Sequence, residues 1–165
     1  MEALTKSIEE SLATKNWYAA LTVTLILPDI SGKIEYPGIG SNKRYANWFN
    51  KYVGNCYKSQ VGASRNEYIF LSGDDCYALR CSYLHEGTSS ITHQRARDVL
   101  DDFKFVSPPP SGQIHCNQFD NKLQLQVDIF CRDIIKGVKN WKLEIESDSS
   151  KTSRLNEFLK IYELK

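Results

Sequence analysis

The sequence places an arginine and a histidine in an otherwise apolar helical run, "DDCYALRCSYLHEG" (74–87). Arg80 and His85 are five residues apart, so on an α-helix their side chains point about 140° apart. They can still converge on one point if the end of the helix lies in a groove. A guanidinium offers a fixed fork of donors to an anion, and an imidazole exchanges protons near neutral pH. Arg80 and His85 are therefore candidate catalytic residues for acid–base chemistry at an anionic centre.

The same two residues also have an ordinary structural interpretation. His85 falls in the last helical turn, where a positive charge interacts favourably with the helix dipole. Arg80 can extend its aliphatic stem over the core and pair its charged head with an acid. Arg-x4-His or a closely similar spacing arises by chance about 0.4 times in a chain of this composition. The surrounding elements must therefore decide between the two interpretations.

The helix that carries the pair has clear signals at both ends. Ser72 followed by Asp75 resembles a capping box, and Asp74 adds a second acid at the positive end of the helix dipole. Gly87 suits the position just after the last turn. The pattern predicts a helix over 72–86, with an apolar face formed by Cys76, Leu79 and Tyr83.

Periodicity in the rest of the chain predicts a mainly α protein. Apolar residues recur every three to four positions in a first helix over 3–15, in a helix over 42–53 and in a long helix over 127–146. After the polar break "SDSSKTS", a short closing helix is predicted from the spacing of its apolar residues, Leu155, Phe158, Leu159 and Tyr162.

The stretch "LTVTLIL" (21–27) gives conflicting signals. Its alternating, β-branched residues favour a strand. Asn16, however, is a suitable cap for a helix that begins at Trp17. We interpret the stretch as a buried helix, which Pro28 is expected to end or kink.

A small antiparallel sheet is predicted before the long helix. The segments "FKFV", "QIHCNQF" and "KLQLQV" have the alternation and the flanking turns of short strands. The "SPPPSG" run between them is interpreted as a loop, because the unit that follows is too small to bury its own core. With 165 residues, 41% of them hydrophobic and 25% charged, the chain fits one soluble globular domain over 1–165.

Composition also narrows the class of protein. The apolar run "AALTVTLIL" is too short to cross a membrane, and the charged N-terminus is not a secretory signal. Five cysteines without a CxxC pair argue against a disulfide framework and for a reducing cytoplasm. His115 and Cys116 could begin a zinc site, but no second pair is spaced to complete it. We therefore expect neither a metal nor another cofactor.

Together, these segments resemble the HEPN superfamily (higher eukaryotes and prokaryotes nucleotide-binding). The resemblance lies in "CYALRCSYLHEG", preceded by "LILPDISGKIEYPG" and followed by "HCNQ" and "LQLQVDIFC". It covers most of residues 1–145, and its specific match is Arg80 to His85. It implies a HEPN-like helical bundle, often dimeric, in which Arg-x4-His is an RNase motif. The family often has a polar residue directly after the arginine, where this chain has Cys81.

The resemblance implies a metal-independent endoribonuclease, with a toxin or a defence effector as one role for such a protein. RNA supplies its own nucleophile, the 2′-hydroxyl, and cleavage leaves a cyclic phosphate and a free 5′-hydroxyl. His85 would act as general base or acid, and Arg80 would stabilise the charge on the phosphorane. Two copies across a homodimer could divide the base and acid roles.

Supporting roles are expected for Asp29 and Lys33, which lie in "LPDISGKIE", and for Glu86 beside the histidine. The expected partners are an RNA substrate, a second copy of the chain and an antitoxin of nucleotidyltransferase type. One alternative is a catalytically inactive HEPN module that binds RNA, a nucleotide or a protein. Another is a small helical interaction protein in which Arg80 and His85 are structural.

Overall fold

Helices dominate the computed structural model, which describes residues 1–162. The helices are α1 (Glu2–Ala13), α2 (Trp17–Glu35), α3 (Ser41–Tyr52), α4 (Gly73–Glu86), α5 (Val127–Ile145) and α6 (Ser149–Asn156). The strands are β1 (Lys58–Val61), β2 (Asn66–Ile69), β3 (Asp102–Val106), β4 (Asn117–Phe119) and β5 (Lys122–Gln126). The mainly α prediction is therefore confirmed. None of the helices in this range has both the length and the apolarity needed to cross a bilayer.

Helix α2 is the centre of the bundle and packs against α1, α3 and α5. The predicted apolar faces of α3 and α5 meet through the edge-to-face pair of Trp48 and Trp141, whose ring centroids are 6.4 Å apart. Both rings are fully buried. The indole Nε1 of Trp141 also donates a 3.0 Å hydrogen bond to Glu35 at the end of α2. Aromatic packing and one polar contact therefore fix α5 against α2 and α3.

The buried helix predicted from Trp17 is confirmed, but the expected effect of Pro28 was wrong in one respect. Asn16 accepts a 3.3 Å hydrogen bond from the amide of Ala19, as a helix cap should. The helix then continues through Pro28 to Glu35. Proline removes one backbone hydrogen bond, yet it does not end this helix, because packing holds the turns on both sides of it.

The closing helix was predicted in the wrong place. Helix α6 occupies most of the expected polar break, and Phe158 and Tyr162 lie beyond its end. Asp148 caps it by accepting hydrogen bonds from two backbone amides. Polar contacts attach it to α2, because Lys151 pairs with Glu35 at 2.8 Å. A search for apolar periodicity could not find a helix held in this way.

The predicted sheet has three strands, but it is mixed and not antiparallel. Strand β5 lies in the centre, with β3 parallel to it and β4 antiparallel. After β3, the loop over 107–116 leads the chain to β4. The chain then returns as β5, which pairs with β3 on one side and with β4 on the other. The pairing β1–β2 is a separate hairpin that was not predicted. All residues of both its strands are exposed, so it has no apolar alternation to detect.

The start of α4 is fixed by a cap and a buried carboxylate. The hydroxyl of Ser72 accepts a 3.1 Å hydrogen bond from the amide of Asp75. The carboxylate of Asp75 is turned to a neighbouring loop, where it accepts hydrogen bonds from the amides of Asp98, Val99 and Leu100. Asp75 therefore ties the loop that follows α4 back to the beginning of that helix.

Gly73, the first residue of α4, allows a close approach to α3. A Cβ atom at Gly73 would lie 2.5 Å from the carbonyl oxygen of Ala46 and 2.7 Å from its Cα. Both are backbone atoms and cannot rotate away. The contact therefore depends on the absence of a side chain at this position.

We expect Gly73→Ala to destabilise the protein by about 1–3 kcal/mol, the usual cost of overpacking. The added methyl group would push α3 and α4 apart. Urea denaturation followed by circular dichroism measures the change. Gly38→Ala is the matched control, because nothing lies within 4 Å of its added Cβ. Equal stabilities for the two variants would contradict a close helix contact at Gly73.

Candidate functional site

Arg80 and His85 converge at the exposed end of α4. The Nη1 atom of Arg80 lies 3.2 Å from Nε2 of His85. A guanidinium can only donate hydrogen bonds, so this contact is a hydrogen bond when Nε2 carries no proton. The long side chain of Arg80 thus reaches His85 although the two residues point to different sides of the helix.

Asp29 of α2 lies between Arg80 and a second arginine, Arg44 of α3. Its Oδ2 accepts a 3.2 Å hydrogen bond from Nη2 of Arg80. Its Oδ1 accepts two hydrogen bonds from Arg44, from Nε at 3.2 Å and from Nη2 at 2.9 Å. The three side chains are 17–19% exposed. We call this cluster the Arg–Asp–Arg bridge; two guanidinium groups and one carboxylate give it an excess of positive charge.

Close backbone packing brings Arg44 to this position. A Cβ atom at Gly32 would lie 2.7 Å from the carbonyl oxygen of Arg44. The glycine lets α3 approach α2 at the level of Arg44, one turn after Asp29. The bridge therefore depends on a small residue that has no chemistry of its own.

The three supporting residues expected from the sequence have different positions. Asp29 contacts Arg80, as described. Lys33 is exposed, and its Nζ atom lies 3.4 Å from the carbonyl oxygen of Pro37; it lines a groove that it shares with Asp29. Glu86 turns away from His85 and contacts His93 at 2.8 Å. Of these three residues, Asp29 contacts the pair formed by Arg80 and His85, whereas Glu86 contacts the loop that follows α4.

Sequence reasoning missed Arg44. It lies in "SNKRYANWF", on the polar face of α3, next to Lys43. No local signal distinguishes these two cations, because only the packing of α2 against α3 selects one of them.

Tyr77 is a second neighbour of Arg80 that was not singled out. Its hydroxyl lies 3.0 Å from the Oγ atom of Ser41. Burial raises the pKa of this hydroxyl, and the nearby thiol of Cys81 acts in the same direction. Tyr77 is therefore a neutral hydrogen-bonding group on the side of α4 that faces α3.

His115 belongs to a separate polar cluster. Its Nδ1 accepts a 3.2 Å hydrogen bond from the amide of Gln126. Its Nε2 is buried, makes no hydrogen bond within residues 1–162, and lies 4.0 Å from Asp133. Tyr57 donates a 3.2 Å hydrogen bond to the same carboxylate. In the described part of the chain, no group of three or more potential ligands has the geometry of a metal site.

Comparisons of the chain with protein-family models, with curated proteins and with solved structures give no significant match. The resemblance to the HEPN superfamily therefore rests on the sequence segments that carry it. Any function for the Arg–His pair must follow from its geometry and chemistry.

Burial of His115 makes stability depend on pH. Burial lowers the pKa of His115 below its ordinary value of 6.5, so below about pH 6.5 the unfolded chain binds a proton that the folded chain excludes. Stability from this residue is present at higher pH and is lost as the pH falls. Burial raises the pKa of Asp133, so the folded chain binds this proton more readily than the unfolded chain does. The contribution of Asp133 to stability therefore rises as the pH falls.

We expect His115→Gln to reduce the loss of stability between about pH 7.5 and 5.5. Urea denaturation across this range gives the free energy of unfolding for both proteins. Asp133→Asn in the same series separates the contribution of the neighbouring carboxyl. An unchanged slope in His115→Gln would show that the imidazole is protonated equally in the folded and unfolded states.

Proposed function

We propose that the protein is a metal-independent endoribonuclease of HEPN type, with Arg80 and His85 at its active site. The observation that supports this most is the 3.2 Å contact between Arg80 and His85 at the exposed end of α4. A donor fork beside an imidazole provides two of the groups that RNA cleavage by its own 2′-hydroxyl uses, a phosphate-binding group and a proton acceptor.

In the proposed reaction, Nε2 of His85 takes the proton of a 2′-hydroxyl group. The 2′-oxygen then attacks the neighbouring phosphorus, and the bond between phosphorus and the 5′-oxygen breaks. The products are a 2′,3′-cyclic phosphate and a 5′-hydroxyl, whose proton comes from a general acid. Arg80 offers N–H donors to the phosphate oxygens while negative charge accumulates on them.

The Arg–Asp–Arg bridge would position the phosphate-binding group. Asp29 holds one edge of the Arg80 guanidinium and fixes its orientation. Arg44 offsets the negative charge of Asp29, so the carboxylate does not repel a phosphate from the site. This arrangement keeps a net positive charge beside His85.

The second proton transfer leads us to propose a homodimer. One imidazole cannot be neutral and protonated at the same time, whereas two copies of His85 near a two-fold axis could act as base and acid. From the resemblance we also propose RNA as substrate, a cytoplasmic toxin or defence role, and an antitoxin of nucleotidyltransferase type as a partner.

A catalytically inactive HEPN module is the second candidate, and one observation favours it. Both terminal nitrogens of Arg80 already have partners, one in His85 and one in Asp29. Cys81 also stands where the family often has a polar residue. In such a module the cluster would stabilise α4, and the protein would bind RNA, a nucleotide or a protein partner without cleaving it.

We expect cleavage of RNA to persist in EDTA and to fall by about 10²–10⁴ in His85→Ala. Arg80→Lys should also be strongly impaired, because an ammonium cannot reproduce the planar grip on phosphate oxygens. Cleavage of a labelled single-stranded RNA, with end-group analysis of the products, measures both effects.

His93→Ala is the matched control for this experiment, because His93 is exposed and contacts Glu86 and Gln94, not Arg80. Circular dichroism should show all three variants folded. Wild-type cleavage by folded His85→Ala would place catalysis elsewhere. Unfolding of His85→Ala would favour the structural interpretation of the pair.

We expect the chain to form a dimer at micromolar concentration, with α4 of each copy near the two-fold axis. Light scattering should give twice the mass of one chain. Wild-type chains mixed with an excess of His85→Ala chains should lose more activity than dilution alone explains, because mixed dimers contain only one functional imidazole. A monomeric mass, or activity proportional to the wild-type chains, would contradict a shared site.

A further inference from the structure

A groove of about 450 Å³ is lined by Asp29 and Arg44 of the Arg–Asp–Arg bridge, but not by Arg80. It runs between α2 and the segment from α6 to Phe158, and its volume is within the usual range of ligand sites. Asp29 belongs to its wall, with one carboxylate oxygen facing Arg44 and the other facing Arg80. The groove is therefore directly adjacent to the proposed active site.

Two cations in this groove lack carboxylate partners. The Nε atom of Arg154 donates a 3.0 Å hydrogen bond to the carbonyl oxygen of Ile34, which anchors the side chain. Lys33 contacts only a carbonyl oxygen. Over residues 1–162, neither has a carboxylate oxygen within 4.0 Å. Glu157 also lines the groove, but it pairs with neither of them.

A nucleotide needs an apolar surface for its base as well as cations for its phosphate, and the groove also provides that surface. The groove has an apolar wall to which an aromatic ring contributes, formed by Ile30, Ile34, Pro37 and Phe158. Single-stranded RNA is bound by this combination of cations for the backbone and aromatic or apolar side chains for the bases.

Another basic groove, between α1 and α5, lacks this combination. It is lined by Arg132, Lys136 and Lys139. Arg132 is paired with Asp128, and Lys139 with Glu9. No aromatic residue lines it. Its charges are mostly neutralised within the protein, so it has less to offer a phosphate backbone.

We propose that the groove between α2 and α6 binds the RNA nucleotide next to the scissile phosphate. Lys33 and Arg154 contact its phosphate group, and its base lies on the apolar wall near Phe158. That this phosphate is cleaved rests on the proposed endoribonuclease function. The binding itself does not, because the groove would hold RNA equally well in an inactive module.

Fluorescence anisotropy with a labelled 2′-O-methyl RNA tests the proposal. This RNA lacks the nucleophile and cannot be cleaved, so binding is measured apart from catalysis. Lys33→Ala and Arg154→Ala should each weaken binding by roughly tenfold, the loss of one charge-assisted contact. The slope of log affinity against log salt should also fall by about 0.7 for each phosphate contact that is removed.

Lys58→Ala is the matched control, because Lys58 is an exposed lysine on the separate β1–β2 hairpin. It should keep the wild-type affinity and salt slope. Lys33 is exposed, so its substitution should not affect folding, and circular dichroism checks Arg154→Ala. With cleavable RNA, both groove variants should raise KM more than they lower kcat.

The outcomes separate this inference from the proposed function. If the groove variants bind weakly and the wild type cleaves nothing, the groove is supported and the endoribonuclease proposal fails. If both groove variants bind like the wild type, the inference is wrong, even if His85→Ala is inactive. Failure of the wild type to bind RNA, or an equal loss of affinity in Lys58→Ala, would also overturn it.

Discussion

The carboxylate of Asp29 is the point on which the site depends. It lies between the guanidinium groups of Arg44 and Arg80, and thereby joins α2, α3 and α4. All three side chains are mostly removed from water, so none of the charges is fully solvated. Loss of the shared carboxylate would leave two like charges facing each other, and loss of a buried partner is costly in proteins. The bridge therefore constrains the helices as well as the arginines.

This constraint requires the helix backbones to approach closely, and two glycines make the approach possible. Gly32 lets the backbone of Arg44 pack closely against α2, and Gly73 lets the backbone of Ala46 pack closely against α4. With side chains at these positions, α3 would stand further from both neighbours. Arg44 and Arg80 could then no longer share one carboxylate within hydrogen-bonding distance. Close packing at Gly32 and Gly73 thus allows Asp29 to pair with two arginines.

Arg80 and His85 differ in how far they are exposed to solvent, and this difference affects how each can act. Arg80 is restrained by Asp29, whereas His85 is exposed at the helix end and contacts the same guanidinium from the outside. An arginine held from one side is pre-organised, and an exposed imidazole is accessible for proton exchange. The groove beyond Asp29 extends the positive surface away from the pair.

The sequence determined the helices that carry the site, because capping residues and apolar periodicity are local signals. Ser72, Gly87 and the stripes of α3 and α5 predicted their elements within one or two residues. The sequence also singled out Arg80, His85 and Asp29. Only the tertiary structure decided that Asp29 joins Arg80 to Arg44, since nothing in the chain near Arg44 marks it. Helix α6 has a local signal in its cap, Asp148, but its attachment to α2 through Lys151 and Glu35 and the parallel pairing of β3 with β5 depend on distant residues, which local patterns do not encode.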